Sequence, residues 1–156
     1  MPRPSQQPPG TGTNFSHFFR ERDAIQDAEN NRRFIPSNST DQPSTLFHLK
    51  TNNRCTVPGL RYISRDDVEA MLMYIDGACL NNGRPDSRAG FGVVFRKTEN
   101  IAGRLERPPQ GEAPTSNRAE LRAAICALNL RHWPGEGFLR IVLACDSEYV
   151  VLGACD

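Results

Sequence analysis

Hydrophobic residues are thin over residues 1–45 and gather into short runs after residue 70. MLMYID (Met71–Asp76) is an apolar run closed by an acid, which predicts a strand buried on both faces. GACLNNGRPDSRAG follows, with three Gly, two Asn, a Pro and an Asp, and reads as turn chemistry. FGVVFRK predicts a second strand and Ile101–Arg107 a weaker third, with Asn100 between them at a hairpin turn. RPPQGEAP is a loop. Thr115 or Ser116 then opens a helix in which Leu121, Ile125 and Leu128, with Ala124, have the three-and-four spacing of a core-facing stripe. Trp133, Pro134 and Gly135 end that helix. FLRIVLACD is the next strand, again ending in an acid, and SEYVVLGA starts a second helix.

This order predicts an α/β fold around a mixed sheet. The first three strands form an antiparallel meander, and the crossover helix returns Phe138–Cys145 beside Met71–Asp76, parallel to it. The chain before it divides in two. Residues 1–45 are a polar lead rich in Pro, Ser, Thr, Asn and Gln, too poor in aliphatic residues to bury a core and expected to be flexible. Within it, Ser16 to Phe34 has the makings of a short helix, capped by Ser16 with a thin stripe of Phe19, Ile25 and Ala28, as the alternative to a fluctuating segment. Residues 46–70 are transitional: TLFHLK alternates weakly, and RYISRDDVEA is an extended entry to residues 71–156, the folded domain. There is no internal repeat.

Charge changes the picture little. The net charge of +1 gives no global positive field, so a nucleic-acid partner has to be argued from a site. Residues 71–156 hold ten Lys and Arg against ten Asp and Glu. The five cysteines (Cys55, Cys79, Cys126, Cys145, Cys155) form no C-x-x-C pair, and three sit in apolar or strand-like runs. They read as reduced and buried, which points to an intracellular protein. No run of 18 apolar residues predicts a membrane span, and the start lacks the apolar region of a secretory signal. Acids mixed with arginines over Phe15–Arg33 argue against a mitochondrial presequence, leaving nucleus or cytosol as the expected compartment.

The predicted topology brings three acids together. Asp76 and Asp146 end strands expected to be parallel neighbours, about 4.8 Å apart. Glu120, early in the crossover helix, is positioned to aim at the same rim. Three carboxylates in one place repel. A hard divalent cation with oxygen ligands stabilises such a cluster, and two such ions clamp the attacking and leaving oxygens in phosphodiester hydrolysis. Each acid also has a plainer reading: Asp76 as a turn residue before Gly, Glu120 as a partner of the helix dipole, Asp146 as a helix cap.

Taken together, YIDGACLNNG (Tyr74–Gly83), AGFGVVF, TSNRAELRAA (Thr115–Ala124) and ACDSEYV (Ala144–Val150) closely resemble ribonuclease H type 1, in family order and at family-like intervals. The resemblance covers residues 71–156. It implies a mixed five-stranded sheet with helices on both sides, and cleavage of the RNA strand of RNA–DNA hybrids by a monomer using Mg²⁺, or Mn²⁺ in its place. By position, Asp76 resembles the acid that bridges two metals, Glu120 the helix ligand near a ribose 2′-hydroxyl, and Asp146 the third ligand. Gly77, Cys79, Asn81 and Asn82, in the loop after the first acid, and Ser116 and Asn117, before the helix acid, resemble the substrate-contacting positions. Many family members have Asn-Gln where this chain has Ser116-Asn117. No protein partner and no membrane are implied.

The family pattern also has a fourth carboxylate and a loop histidine well beyond the third acid. Asp156 follows Asp146 too soon to match, and His17, His48 and His132 precede it. The expectation is therefore a domain truncated at its C-terminus, with two readings: a hybrid endonuclease, or a non-catalytic remnant that binds hybrid or RNA. A retroelement origin is disfavoured because the lead contains no recognisable polymerase segment.

Overall fold

Strand β3 (Ala70–Leu80) is the axis of a six-stranded sheet in the computed structural model, which describes residues 32–36, 38–56, 58–98, 100–106 and 112–155. Ala70 through Met73 and Ile75 are buried, as a run apolar on both faces requires; from Asp76 onward exposed and half-buried positions alternate. β4 (Arg88–Val94) pairs antiparallel with residues 74–80 of β3, and β5 (Ile101–Arg104) extends the meander. On the opposite edge β6 (Arg140–Ala144) runs parallel to β3, from Ala70↔Arg140 to Tyr74↔Ala144. The meander and the parallel return are those expected from the order of elements.

The Gly- and Asn-rich stretch is less of a loop than its composition suggests. Strand β3 continues to Leu80 and β4 begins at Arg88, so the turn is confined to residues 81–87. Asn81 takes a left-handed φ of 55° there, a conformation that Asn tolerates better than most residues. The transitional segment holds two further strands, β1 (Phe47–Asn52) and β2 (Gly59–Ser64), paired antiparallel from Phe47↔Ser64 to Asn52↔Gly59. A single-turn helix α1 (Pro43–Leu46) precedes them. β2 joins β3 at Tyr62↔Leu72 and Ile63↔Met71.

Two arginines tie this hairpin to the rest. Buried Arg61 donates to both carboxylate oxygens of Glu136, at 3.0 and 3.1 Å, in the 3₁₀ turn Trp133–Glu136. Arg54 donates to the carbonyls of Gly137 and Val68 and lies over the Phe138 ring. Near the start of β6, the Arg140 guanidinium beside Asp67 holds that carboxyl below its usual range.

The crossover helix α2 (Ser116–Asn129) packs on the sheet by an unexpected face. Leu121, Ile125 and Leu128, the stripe expected to face the core, are 37%, 51% and 50% exposed. Ala119, Ala123 and Ala127 are buried instead, at the same four-residue spacing. The sheet beneath supplies the bulk (Met71, Met73, Ile75, Val93 and Phe95), so a helix of small residues fills the space by lying close. Helix α3 (Glu148–Cys155) contacts α2. All five cysteines are free thiols and half-buried, rather than fully buried as expected.

No helix among the described residues is long and apolar enough to cross a membrane. The helix expected over Ser16–Phe34 lies outside the described residues except for 32–34, which are not helical. Asp156 and most of the polar lead are also outside them.

Candidate active site

The last parallel pair, Tyr74↔Ala144, sets the first two acids. Side chains alternate along a strand, so the next position on that face of β3 is Asp76, while Asp146 follows two residues past the end of β6. Both are exposed. β6 ends at Ala144 whereas β3 runs on to Leu80, so the two strands part beyond this pair.

Gly77 brings the third acid close. A Cβ built on it would collide with the backbone nitrogen of Glu120 and the carbonyl carbon of Ala119, and would lie 2.8 Å from Glu120 Cα. Only a residue without a side chain lets the first turns of α2 rest directly on β3 here. The helix is fixed at that point by Thr115, whose side chain accepts from the Arg118 backbone N–H at 3.2 Å. Arg118 in turn donates to the carbonyls of Glu112 and Ala113, holding the approach to the helix. On the other strand, Ser147 caps α3: its hydroxyl accepts from Val150 N–H at 3.4 Å. Asp146 is therefore not needed as a cap.

Glu120 is half-buried, and its Oε2 is buried without a hydrogen-bond partner. No arginine, lysine or N–H donor among the described residues pairs with the side chain of Asp76, Glu120 or Asp146. Burial pushes the Cys145 thiol up, against the Ser147 N–H donating to its sulfur, and the carboxylates of Glu120, Asp146 and Asp76 add to the rise. All three acids offer hard oxygen donors suited to a divalent cation. Their side chains are not drawn into a preformed ligand set, for no group of three or more His, Cys, Asp or Glu among the described residues is gathered closely enough to hold an ion.

The other residues singled out from sequence are placed unevenly. Cys79 shares the helix-facing side of β3 with Gly77 and packs near Ala89, Leu105 and Ala119, its thiol 3.3 Å from the Pro114 carbonyl. Asn81 is engaged in the turn, its amide donating to Asp86 at 2.8 Å, while Asn82 is exposed. Ser116 is half-buried and Asn117 exposed in the first turn of α2, one turn before Glu120. Asn81 and Asn82 stand at the far end of β3 from Asp76, about 17 Å along a strand of ordinary rise.

Sequence reasoning missed the floor beside the first acid. Asp76, Gly92 and Ala102 lie side by side across β3, β4 and β5. With Gly77, Ala78, Gly90, Phe91 and Gly103 they line a shallow depression of about 320 Å³. The signal was present as the alternating glycines of AGFG, which remove side chains from one face of β4.

The RNase H family profile matches residues 68–156, from the end of the β2–β3 connection through α3. The ribonuclease H of Crithidia fasciculata is 43% identical over 105 residues, covering 53% of this chain and 21% of its own length. That of Erythrobacter litoralis is 41% identical over 88 residues, 55% of this chain and 53% of its own. Ribonuclease H1 of Mus musculus is 31% identical over 85 residues, 54% of this chain and 28% of its own. The chain thus spans about a fifth to about half of the length of these relatives. No solved structure gives a significant match. With its mixed sheet, its crossover helix and a family profile that spans more than half of its residues, this chain belongs to the RNase H family.

Proposed function

We propose that the domain cuts the RNA strand of RNA–DNA hybrids internally, with Asp76, Glu120 and Asp146 holding Mg²⁺, or Mn²⁺ in its place. The observation that carries this reading is Glu120: its carboxylate has a buried oxygen with no donor among the described residues, and its backbone rests on Gly77, the residue after Asp76. An uncompensated carboxylate in that position is costly, and its neighbours of like charge make it more so. A divalent cation answers both costs. Bound there, such ions stabilise charge on the phosphate oxygens and ease deprotonation of an attacking water.

The chain's own residues do the remaining work. Asp76 and Asp146 present exposed carboxylates at the parting of β3 and β6, where no described residue pairs with them. Gly77 keeps α2 against the strand, so Glu120 is held by backbone packing rather than by a flexible loop. The glycine floor beside Asp76 admits a sugar–phosphate chain close to the sheet. Discrimination of RNA from DNA rests on ribose 2′-hydroxyls; Glu120 and Asn117 are assigned to the one at the acids and Asn82, at the far end of β3, to a ribose farther along the hybrid, with Ser116, Gly77, Cys79 and Asn81 shaping the approach.

The test is cleavage of an end-labelled hybrid by the full chain, with Mg²⁺ and with EDTA. Cutting of the RNA strand in Mg²⁺ alone, lost in Asp76→Asn while hybrid binding in EDTA is kept, is the expected result. Wild-type-like cutting by Asp76→Asn sinks the assignment of the acids. The alternative, a non-catalytic binder of hybrid or RNA, draws support from the three acids not being gathered into a preformed ligand set. It predicts a folded chain that binds hybrid and cuts nothing at any Mg²⁺ concentration.

A further inference from the structure

The open face of the sheet, followed away from Asp76, ends in two arginines. Arg88 begins β4 and Arg104 ends β5. Arg104 is paired with Gly90, two residues from Arg88 on the same face, so the arginines are diagonal neighbours about 7–8 Å apart. Both are exposed, and among the described residues neither side chain makes an ion pair or hydrogen bond. Like charges so placed repel unless an anion lies between them. They line one cavity of about 450 Å³, and its two acids are engaged elsewhere: Asp86 with the Asn81 amide and Glu106 with Arg122 at 3.0 Å.

The ground between these arginines and the acids is clear of side chains longer than a methyl. The row Asp76–Gly92–Ala102 adjoins the row Ala78–Gly90–Arg104. Strand spacing and rise put Arg104 about 12 Å from Asp76, Cα to Cα. A nucleic-acid strand carries one charge per about 3.4 Å of axis, so this distance corresponds to roughly three to four nucleotides.

We propose that Arg88 and Arg104 each grip a backbone phosphate of a strand that crosses the glycine floor and meets the acids three to four nucleotides away. This rests on the hybrid reading above and adds a positioning site to it. A guanidinium fork suits phosphate geometry better than an ammonium does, and contacts to phosphate set register without reading sequence.

The test is binding, measured by fluorescence anisotropy of a labelled hybrid with the full chain in EDTA over a range of salt concentrations. Arg88→Gln and Arg104→Gln each lower the slope of log affinity against log salt by about 1, and the pair by about 2. The double variant binds roughly tenfold more weakly at moderate salt, and it loses a plain DNA duplex to the same degree, since the phosphates are common to both. The double lysine variant keeps the slope but binds more weakly than wild type. Lys50→Gln, on the far edge strand β1, serves as the control, and thermal unfolding checks that each variant is folded. Wild-type affinity and slope in the double Gln variant overturn the proposal, as does an equal drop in Lys50→Gln. Because the assay needs no cleavage, its outcome is separate from that of Asp76→Asn, which bears on the hybrid-cutting reading alone.

Discussion

Gly77 is where the domain tolerates least. A methyl group at this position meets the helix backbone at Ala119 and Glu120, which has no rotamer with which to yield. Gly77→Ala is expected to cost about 3 kcal/mol, at the upper end of overpacking, measured as a lowered midpoint in urea unfolding. A wild-type midpoint would mean that the helix does not rest on the strand as described. The three acids were legible in the sequence because each closes an apolar run or opens a helix. The parallel return behind Asp76 and Asp146 was legible too, but the reason α2 can carry Glu120 against the strand was not. That reason is a missing side chain, and DG reads equally well as an ordinary turn. Nor did the sequence single out Cys145, whose thiol is pushed up by burial and by the fields of the three carboxylates, because a cysteine at a strand end carries no pattern of its own.

Helix α2 shows how a correct element can be given the wrong face. Two stripes at helical spacing run along it, one of Leu121, Ile125 and Leu128 and one of Ala119, Ala123 and Ala127. Hydrophobicity favours the first as the buried face, and shape decides for the second, because the sheet below is already filled by methionines and aromatics. Ala123→Leu is expected to destabilise the domain by about 1–3 kcal/mol through overpacking. Ile125→Gln is expected to stay within about 0.5 kcal/mol of wild type. Denaturant melts of the two variants check this, and the reverse order would restore the stripe read from sequence. The N-terminal hairpin was missed for a related reason: β1 and β2 bury few positions each, so their alternation is faint. Strand β3 was read too short because glycine and asparagine mask a strand whose outer half is exposed.

The sheet as a whole is closed on its hairpin side by a buried ion pair as well as by apolar contact, where Ile63 joins the main core. Arg61 and Glu136 are both buried, and they join β2 to the turn that feeds β6, the strand leading to Asp146. Removing Arg61 leaves the buried Glu136 carboxylate only the half-exposed Arg131, at 3.1 Å, so Arg61→Ala is expected to cost about 3 kcal/mol, the lower end for a broken buried pair, in thermal or denaturant unfolding. Arg61→Met combined with Glu136→Leu should recover most of that loss, since a buried pair gains little over well-packed apolar groups. Failure of the double variant to recover would show that the pair supplies more than the neutralisation of one charge by another. The mixed sheet and the parallel return could be foreseen from the order of strands and helix, whereas this tie could not, because its partners are 75 residues apart in the chain.

The capping of α3 by Ser147 has a consequence for how this stretch of chain can change over generations. The hydroxyl that starts the helix and the carboxylate proposed to hold a cation sit on adjacent residues. Loss of the acid leaves the helix start intact, and loss of the hydroxyl leaves the acid in place. Under the proposed function, selection for folding and selection for chemistry therefore act on different codons here. A copy of this domain released from its chemical role could shed Asp146 and keep its architecture, so the two residues read together tell a working lineage from one that has only kept its shape.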